Sequence, residues 1–167
     1  MGEWCGDARE RMWLGGAEHR RGKGDVPCRN EGSHNHPGGV KGAEATAVAT
    51  FLARIGKSKD EIRAIILRDY YPIDFALDEI RPIYRFDVSC QGSVPQALEA
   101  FFESDSFEDV IRNAISIGGD SDTIAAIAGA VAGAYYGIPN QIKAKVSTFL
   151  DRQLAETLRA FKREFVL

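Results

Sequence analysis

The chain has 167 residues, a formal net charge of −3 at pH 7, 44% hydrophobic residues and 27% charged residues. That is enough chain for one real core, and the composition excludes collagen-like, strongly disordered and supercharged classes. The mild acidic balance gives no electrostatic drive toward nucleic acid, so none is expected as a partner.

The averages conceal a break near residue 32. Both Trp (Trp4, Trp13), both Met (Met1, Met12) and two of the three Cys (Cys5, Cys28) lie in the first 28 residues. Residues 1–32 hold only two branched aliphatic side chains, Leu14 and Val26, and cannot build a core alone. Two divisions are expected: an atypical segment 1–32 and a helical domain 33–167. The odd number of cysteines, with no CxxC pair, argues for a reducing, cytoplasmic setting. No apolar run opens the chain as a secretory signal would. The uncharged stretch from Thr123 onward is rich in Ala and Gly and fits a buried helix better than a membrane span.

Gly38, Gly39 and Gly42 mark a loop running into a first helix, Val40–Arg54. Ala43, Ala47, Val48, Phe51 and Leu52 form its apolar face, and its few charges predict burial on most sides. Gly56 is the expected stop. Ser58 with Glu61 three residues on is a capping box, opening a second helix to about Tyr70 before Pro72. Residues 72–92 read as irregular, with a short helix near Phe75–Ile80. There Arg81, Arg85, Asp87 and Phe86 around Tyr84 read as a solvated loop.

Ser93 reads as the N-cap of the next helix, with Pro95 in its first turn. Ser106 caps another, with Phe107, Val110, Ile111 and Ala114 on one face. Gly118–Thr123 (GGDSDT) then leads into a long apolar helix to about Tyr136. Beyond the Gly137–Pro139 turn two further segments follow, Asn140–Val146 and Ser147–Phe165. No run of period-two alternation occurs, so the fold class is all-α.

GGDSDT is the site-like feature. Asp120, Asp122 and Thr123 offer three oxygen donors within four residues, the donor type that a hard cation such as Mg²⁺ takes. Gly118 and Gly119 permit backbone conformations that a side chain forbids. The N–H groups of the helix start favour an anion such as a diphosphate. Acids in a first helical turn are also ordinary caps, so the cluster alone is weak. The following helix adds weight: Ala125, Gly129, Gly133 and Gly137 recur every four residues, predicting close approach to a neighbour. His34-x-His36 with Cys28 matches no standard zinc spacing, and Cys90 lacks a partner that would make it a nucleophile.

GGDSDTIAAIAGAVAGAYYG (118–137) resembles the C-terminal signature of the ADP-ribosylglycohydrolases, the dinitrogenase-reductase-activating glycohydrolase family. SHNHPGGVKGAEATA (33–47) and SVPQALEAFFESDSFEDVIRNAISIGGD (93–120) are similar to the segments that precede it. The resemblance implies an all-α fold with two Mg²⁺ ions, or Mn²⁺, between helices. It implies hydrolysis of the bond joining ADP-ribose to a protein side chain or a small molecule. By position, Asp120, Asp122 and Thr123 would be metal ligands. His34, Gly39, Gly42 and Ser121 would lie on the ADP-ribose side. Gly38 stands where many members carry Glu.

The family's Thr-Asp-Asp-Thr motif and its catalytic acid have no counterpart in this sequence, so no catalytic residue is assigned. The chain reads as the C-terminal part of such an enzyme. Residues 1 to about 31 fit an out-of-frame translation of the family's preceding loop. Displaced by one nucleotide, the opening codons can spell WGNGAAMRVS, close to that loop's pattern, with Trp and Gly forced by Met1–Gly2 and Trp4–Cys5. Such a segment is expected to pack loosely, and the gene's nucleotide sequence decides the point. A catalytically inactive remnant and a non-enzymatic structural relative are the alternatives to a working hydrolase. Oligomeric state is not legible.

Overall fold

The computed structural model describes residues 36–165. His34 and the expectations for residues 1–31 lie outside the described residues. Within them the chain is built from helices: α1 Pro37–Arg54, α2 Lys59–Asp69, α3 Leu77–Ile80, α4 Cys90–Phe102, α5 Phe107–Ser116, α6 Ser121–Tyr136, α7 Asn140–Ser147 and α8 Arg152–Phe165. No strand occurs among the described residues, so the all-α expectation holds. The helices divide into two compact units, one ending at Gly137 and one from Ile138 onward.

In the first unit α6 is the central helix. α5, α4 and α1 pack around it, α2 lies on α1, and α3 lies on α4. Ile124, Ala128, Val131 and Ala132 of α6 are fully buried, as are Ala45 and Ala49 of α1, Leu98 and Phe101 of α4, and Val110 and Ala114 of α5. The small side chains let helix axes approach closely, and the large ones fill the space between turns. At one end Phe101 meets Tyr135 edge-on at 5.4 Å, and Tyr135 meets Tyr136 at 4.8 Å. The Lys59 ammonium stands over the Phe101 and Tyr136 rings and donates to the Ser104 carbonyl. Tyr136 Oη donates to that same carbonyl at 2.6 Å.

Helix ends follow local chemistry. Ser58 Oγ accepts from Glu61 N while Glu61 Oε2 accepts from Ser58 N, the predicted capping box. Ser106 Oγ accepts from Asp109 N, again as predicted. Gly56 ends α1 and Gly137 ends α6 at φ +79° and +74°, in the left-handed region that glycine tolerates.

Four expectations change. First, α1 begins at Pro37, so Gly38, Gly39 and Gly42 lie inside the helix rather than in a loop: proline suits the first helical position, and His36 caps it. Second, its buried face is Gly38, Gly42, Ala45, Val48, Ala49, Leu52 and Ala53, while Ala43, Ala47 and Phe51 are half-buried. An alanine-rich helix has little periodicity of its own, and the glycines decide which side meets α4. Third, α4 begins at Cys90, capped by Ser89 Oγ accepting from Gly92 N, so Ser93 and Pro95 are interior. Ser93 Oγ donates to the Asp87 carbonyl instead. Fourth, α8 begins at Arg152 rather than Ser147: Ser147 closes α7, and Asp151 Oδ1 accepts from Leu154 N at 2.8 Å.

The close approach expected along Gly129 and Gly133 occurs at Gly129, where a Cβ would stand 3.0 Å from Ile111 Cδ1. The tighter helix contact is elsewhere. A Cβ on Gly42 of α1 would stand 2.8 Å from Cys90 Cβ and 2.9 Å from Cys90 Sγ on α4.

Candidate functional site

The turn before α6 is made by Gly118 and Gly119 at φ +79° and +62°, so both glycines adopt the conformation that the sequence anticipated. It delivers Asp120 as the N-cap of α6, with φ −80° and ψ 58° and no side-chain capping bond. Ser121 opens the helix, half-buried, and Asp122 and Thr123 follow exposed in its first turn. Its neighbour Asp120 is the largest influence holding the Asp122 carboxyl below the usual carboxylate range, aided by the backbone N–H groups of Thr123 and Asp122. The two acids and the Thr123 hydroxyl thus lie at the head of one helix.

These oxygens fit part of the shell of a single hard cation that keeps several waters. They do not make a two-ion site alone: among the described residues no third His, Cys, Asp or Glu joins them in a cluster able to hold a metal.

The first turns of α1 and α4 are linked to this one through contacts. Tyr84 lies against Gly119, where a Cβ would overlap its ring, and Tyr84 Oη donates to Gly92 O at 2.6 Å. Gly92 is in the first turn of α4. Beside it, Gln91 occupies the space where a Cβ on Gly38 would be, and Cys90 does the same at Gly42. At the head of α1, His36 Nδ1 accepts from Gly38 N at 3.1 Å. Gly39 is half-buried in that turn and Gly42 is buried one turn on.

Tyr84 is the residue that the sequence placed wrongly, within a solvated loop. Arg85, Phe86 and Asp87 are exposed as expected, but Tyr84 is half-buried. Burial pushes its hydroxyl above the ordinary value, with the Asp87 and Asp120 charges acting in the same direction. Asp87 is held low by hydrogen bonds from Ser89, whose N–H reaches Asp87 Oδ1 at 2.7 Å. Arg81 is also structural: it donates to Ser116 Oγ and Asn113 Oδ1, both at 2.9 Å, and pairs with Asp78. The only signal for Tyr84 was its place in a polar loop a few residues from a serine-rich helix start.

The sequence model of the ADP-ribosylglycohydrolase family matches residues 31–165. The chain belongs to the ADP-ribosylglycohydrolase family. Among relatives, ADP-ribosylarginine hydrolase Tri1 of Pseudomonas putida (strain GB-1) is 31% identical over 112 residues, 64% of this chain and 30% of that protein. ADP-ribosylhydrolase ARH3 of Homo sapiens is 46% identical over 56 residues, 34% of this chain and 14% of that protein. An uncharacterized protein of Archaeoglobus fulgidus is 30% identical over 142 residues, 75% of this chain and 46% of its own length. A solved chain described as an ADP-ribosylglycohydrolase-related protein complex superposes with a TM-score of 0.50 and 26% identity. It covers 65% of this chain and 42% of that one. The chain thus spans less than half the length of each of these proteins. Among the described residues no helix is long and apolar enough to cross a membrane.

Proposed function

We propose that this protein acts as a metal-dependent hydrolase of ADP-ribosyl linkages, on an ADP-ribosylated protein or a small ADP-ribose conjugate. The observation that carries the proposal is the two-glycine turn before α6, which gathers Asp120, Asp122 and Thr123 at the head of one helix. Family membership and the names of two relatives support the reaction class.

Asp120, Asp122 and Thr123 would hold Mg²⁺, or Mn²⁺ in its place. A bound ion supplies Lewis acidity toward ribose hydroxyls and water. The chain's own residues orient the ligand. The N–H groups at the head of α6, Ser121 included, favour the diphosphate. His34, Gly39 and Gly42 belong to the ADP-ribose side in this assignment. A cytoplasmic setting accords with the free thiol of Cys90.

Calorimetry on the full chain tests the assignment with MgCl₂, MnCl₂ and ADP-ribose as titrants. Saturable cation binding is expected, weakened about 10-fold or more by Asp120→Ala and by Asp122→Ala. Unchanged binding in both variants removes the ligand assignment. The alternative, a catalytically inactive member, is favoured by one observation, the lack of a third metal-binding side chain beside the two acids among the described residues. Cation and ADP-ribose binding with no release of ADP-ribose from a modified protein would establish it.

A further inference from the structure

We propose that Tyr84 is a positioning residue that sets the Gly118–Asp120 turn and thereby the separation of the Asp120 and Asp122 carboxyls. The proposal rests on the metal-site assignment above for its consequence, and on geometry alone for its cause.

The turn has little to hold it from within. Gly118 and Gly119 both sit at positive φ, a Cβ at Gly118 would meet nothing within 4 Å, and Asp120 makes no side-chain capping bond. A two-glycine turn of this kind is free to rotate unless something outside it fills the space. At Gly119 something does. A Cβ there would overlap Tyr84 Cε1 and stand 3.0 Å from Tyr84 Cδ1 and 3.3 Å from the Arg85 carbonyl oxygen. The ring edge therefore lies on the Gly119 Cα face, where only a glycine admits it.

Tyr84 is itself fixed on several sides. Its N–H donates to Ile80 O at 2.7 Å, and its hydroxyl donates to Gly92 O at 2.6 Å in the first turn of α4. The segment before it is tied to the last turn of α5 by Arg81, through Asn113 and Ser116. The segment after it is tied to the head of α4 by Asp87 and Ser89. Tyr84 is thus a strut between the head of α4 and the turn that heads α6, anchored to the helix that enters that turn. Side chains that support a metal-binding shell without touching the ion commonly set its affinity.

The test uses the full chain, Tyr84→Leu, which removes the ring edge and the hydroxyl, and Tyr84→Phe, which keeps the ring. Amide hydrogen exchange is read at residues 118–123, with the α2 amides as an internal control for folding. Exchange in the turn should rise about tenfold in Tyr84→Leu and stay near the parent value in Tyr84→Phe, while α2 is unchanged. Mn²⁺ affinity, followed by electron paramagnetic resonance of the free ion, should fall about 10- to 100-fold in Tyr84→Leu and about threefold in Tyr84→Phe. Equal exchange in parent and Tyr84→Leu overturns the proposal, as does parent-like Mn²⁺ affinity in Tyr84→Leu. Faster exchange in Tyr84→Leu with no Mn²⁺ binding even by the parent supports the strut and rejects the metal-site assignment instead. If Tyr84→Leu loses α2 protection as well, Tyr84→Phe and Gly119→Ala decide. Gly119→Ala meets the ring from the other side and should raise turn exchange more than Gly118→Ala, which carries the backbone strain alone; equal exchange in Gly118→Ala and Gly119→Ala overturns the proposal.

Discussion

Gly118 and Gly119 adopt the same left-handed backbone region yet face different surroundings, and substitution separates the two effects. A Cβ at Gly118 enters open space, so Gly118→Ala carries only the conformational cost, about 1 kcal/mol. A Cβ at Gly119 meets the Tyr84 ring and the Arg85 carbonyl as well, so Gly119→Ala should cost about 2–3 kcal/mol. Urea unfolding of the two variants measures the difference; equal midpoints would show that the Tyr84 contact has no energetic weight. This contrast also marks how far the sequence reached at the site. The oxygen donors and the glycines that deliver them sit within six consecutive residues, and local spacing reveals them. Tyr84 meets Gly119 across 35 positions, and Gln91 meets Gly38 across 53. Such contacts are fixed by tertiary packing, and no periodicity in one chain segment encodes them.

At the scale of helices, ends announced by one side chain are legible, and so is the face of α5, where Phe107, Val110 and Ala114 are buried as expected. Ser58 with Glu61, Ser106, and the glycines at 56 and 137 act where the pattern placed them. The start of α4 was misread because Ser89 and Ser93 are both good caps. Pro95 suits the first turn of a helix capped by Ser93, yet in the second turn a proline leaves only the Gln91 carbonyl without its helical donor. The face of α1 was misread because alanine occurs on every side of it.

The tie between α2 and α4 yields a prediction that depends on pH. Arg63 Nη2 donates to Glu99 Oε1 at 3.1 Å, Arg63 Nη1 stands 2.8 Å from Glu99 Oε2 as an ion pair, and Glu99 is 3% exposed. Burial raises the Glu99 carboxyl above its ordinary 4.5, with Arg63 opposing and Glu103 adding to the rise. A raised folded-state value means that the protonated form is favoured by folding. The associated stability is complete below pH 4.5 and is lost as pH rises through the folded-state value. Arg63→Ala removes the opposing charge and moves the carboxyl further up. Its cost should therefore be greatest near pH 7, about 2–3 kcal/mol given that Arg63 is partly exposed, and should shrink toward pH 5. Glu99→Gln in the Arg63→Ala background should recover part of the loss at pH 7 and little at pH 5. A cost for Arg63→Ala that is flat with pH would place its role in packing over Phe102, 5.1 Å from the guanidinium, rather than in the ion pair.

At the scale of the molecule, the 44% hydrophobic content is buried unequally in the two units. The unit ending at Gly137 holds the buried core. In the unit from Ile138 onward α7 has no buried residue, and Val146, Phe149 and Leu154 are 51%, 74% and 55% exposed. An average over the chain cannot reveal this, because it counts a buried Leu98 and an exposed Leu154 alike. Exposed apolar side chains attract one another and hydrophobic dyes. The full chain should therefore bind an anilinonaphthalene dye and scatter light increasingly with concentration. Phe149→Ser combined with Leu154→Lys should reduce both signals. Because each site is exposed, the pair should change stability by about 1 kcal/mol or less and leave far-ultraviolet circular dichroism unchanged. Phe149 also receives the Lys145 ammonium over its ring at 5.5 Å, so Leu154→Lys alone is the cleaner reporter of apolar exposure. Dye binding that persists in the double variant would assign the attraction to the other unit, where Ile83, Phe86 and Val88 are 69%, 68% and 78% exposed beside the Tyr84 strut.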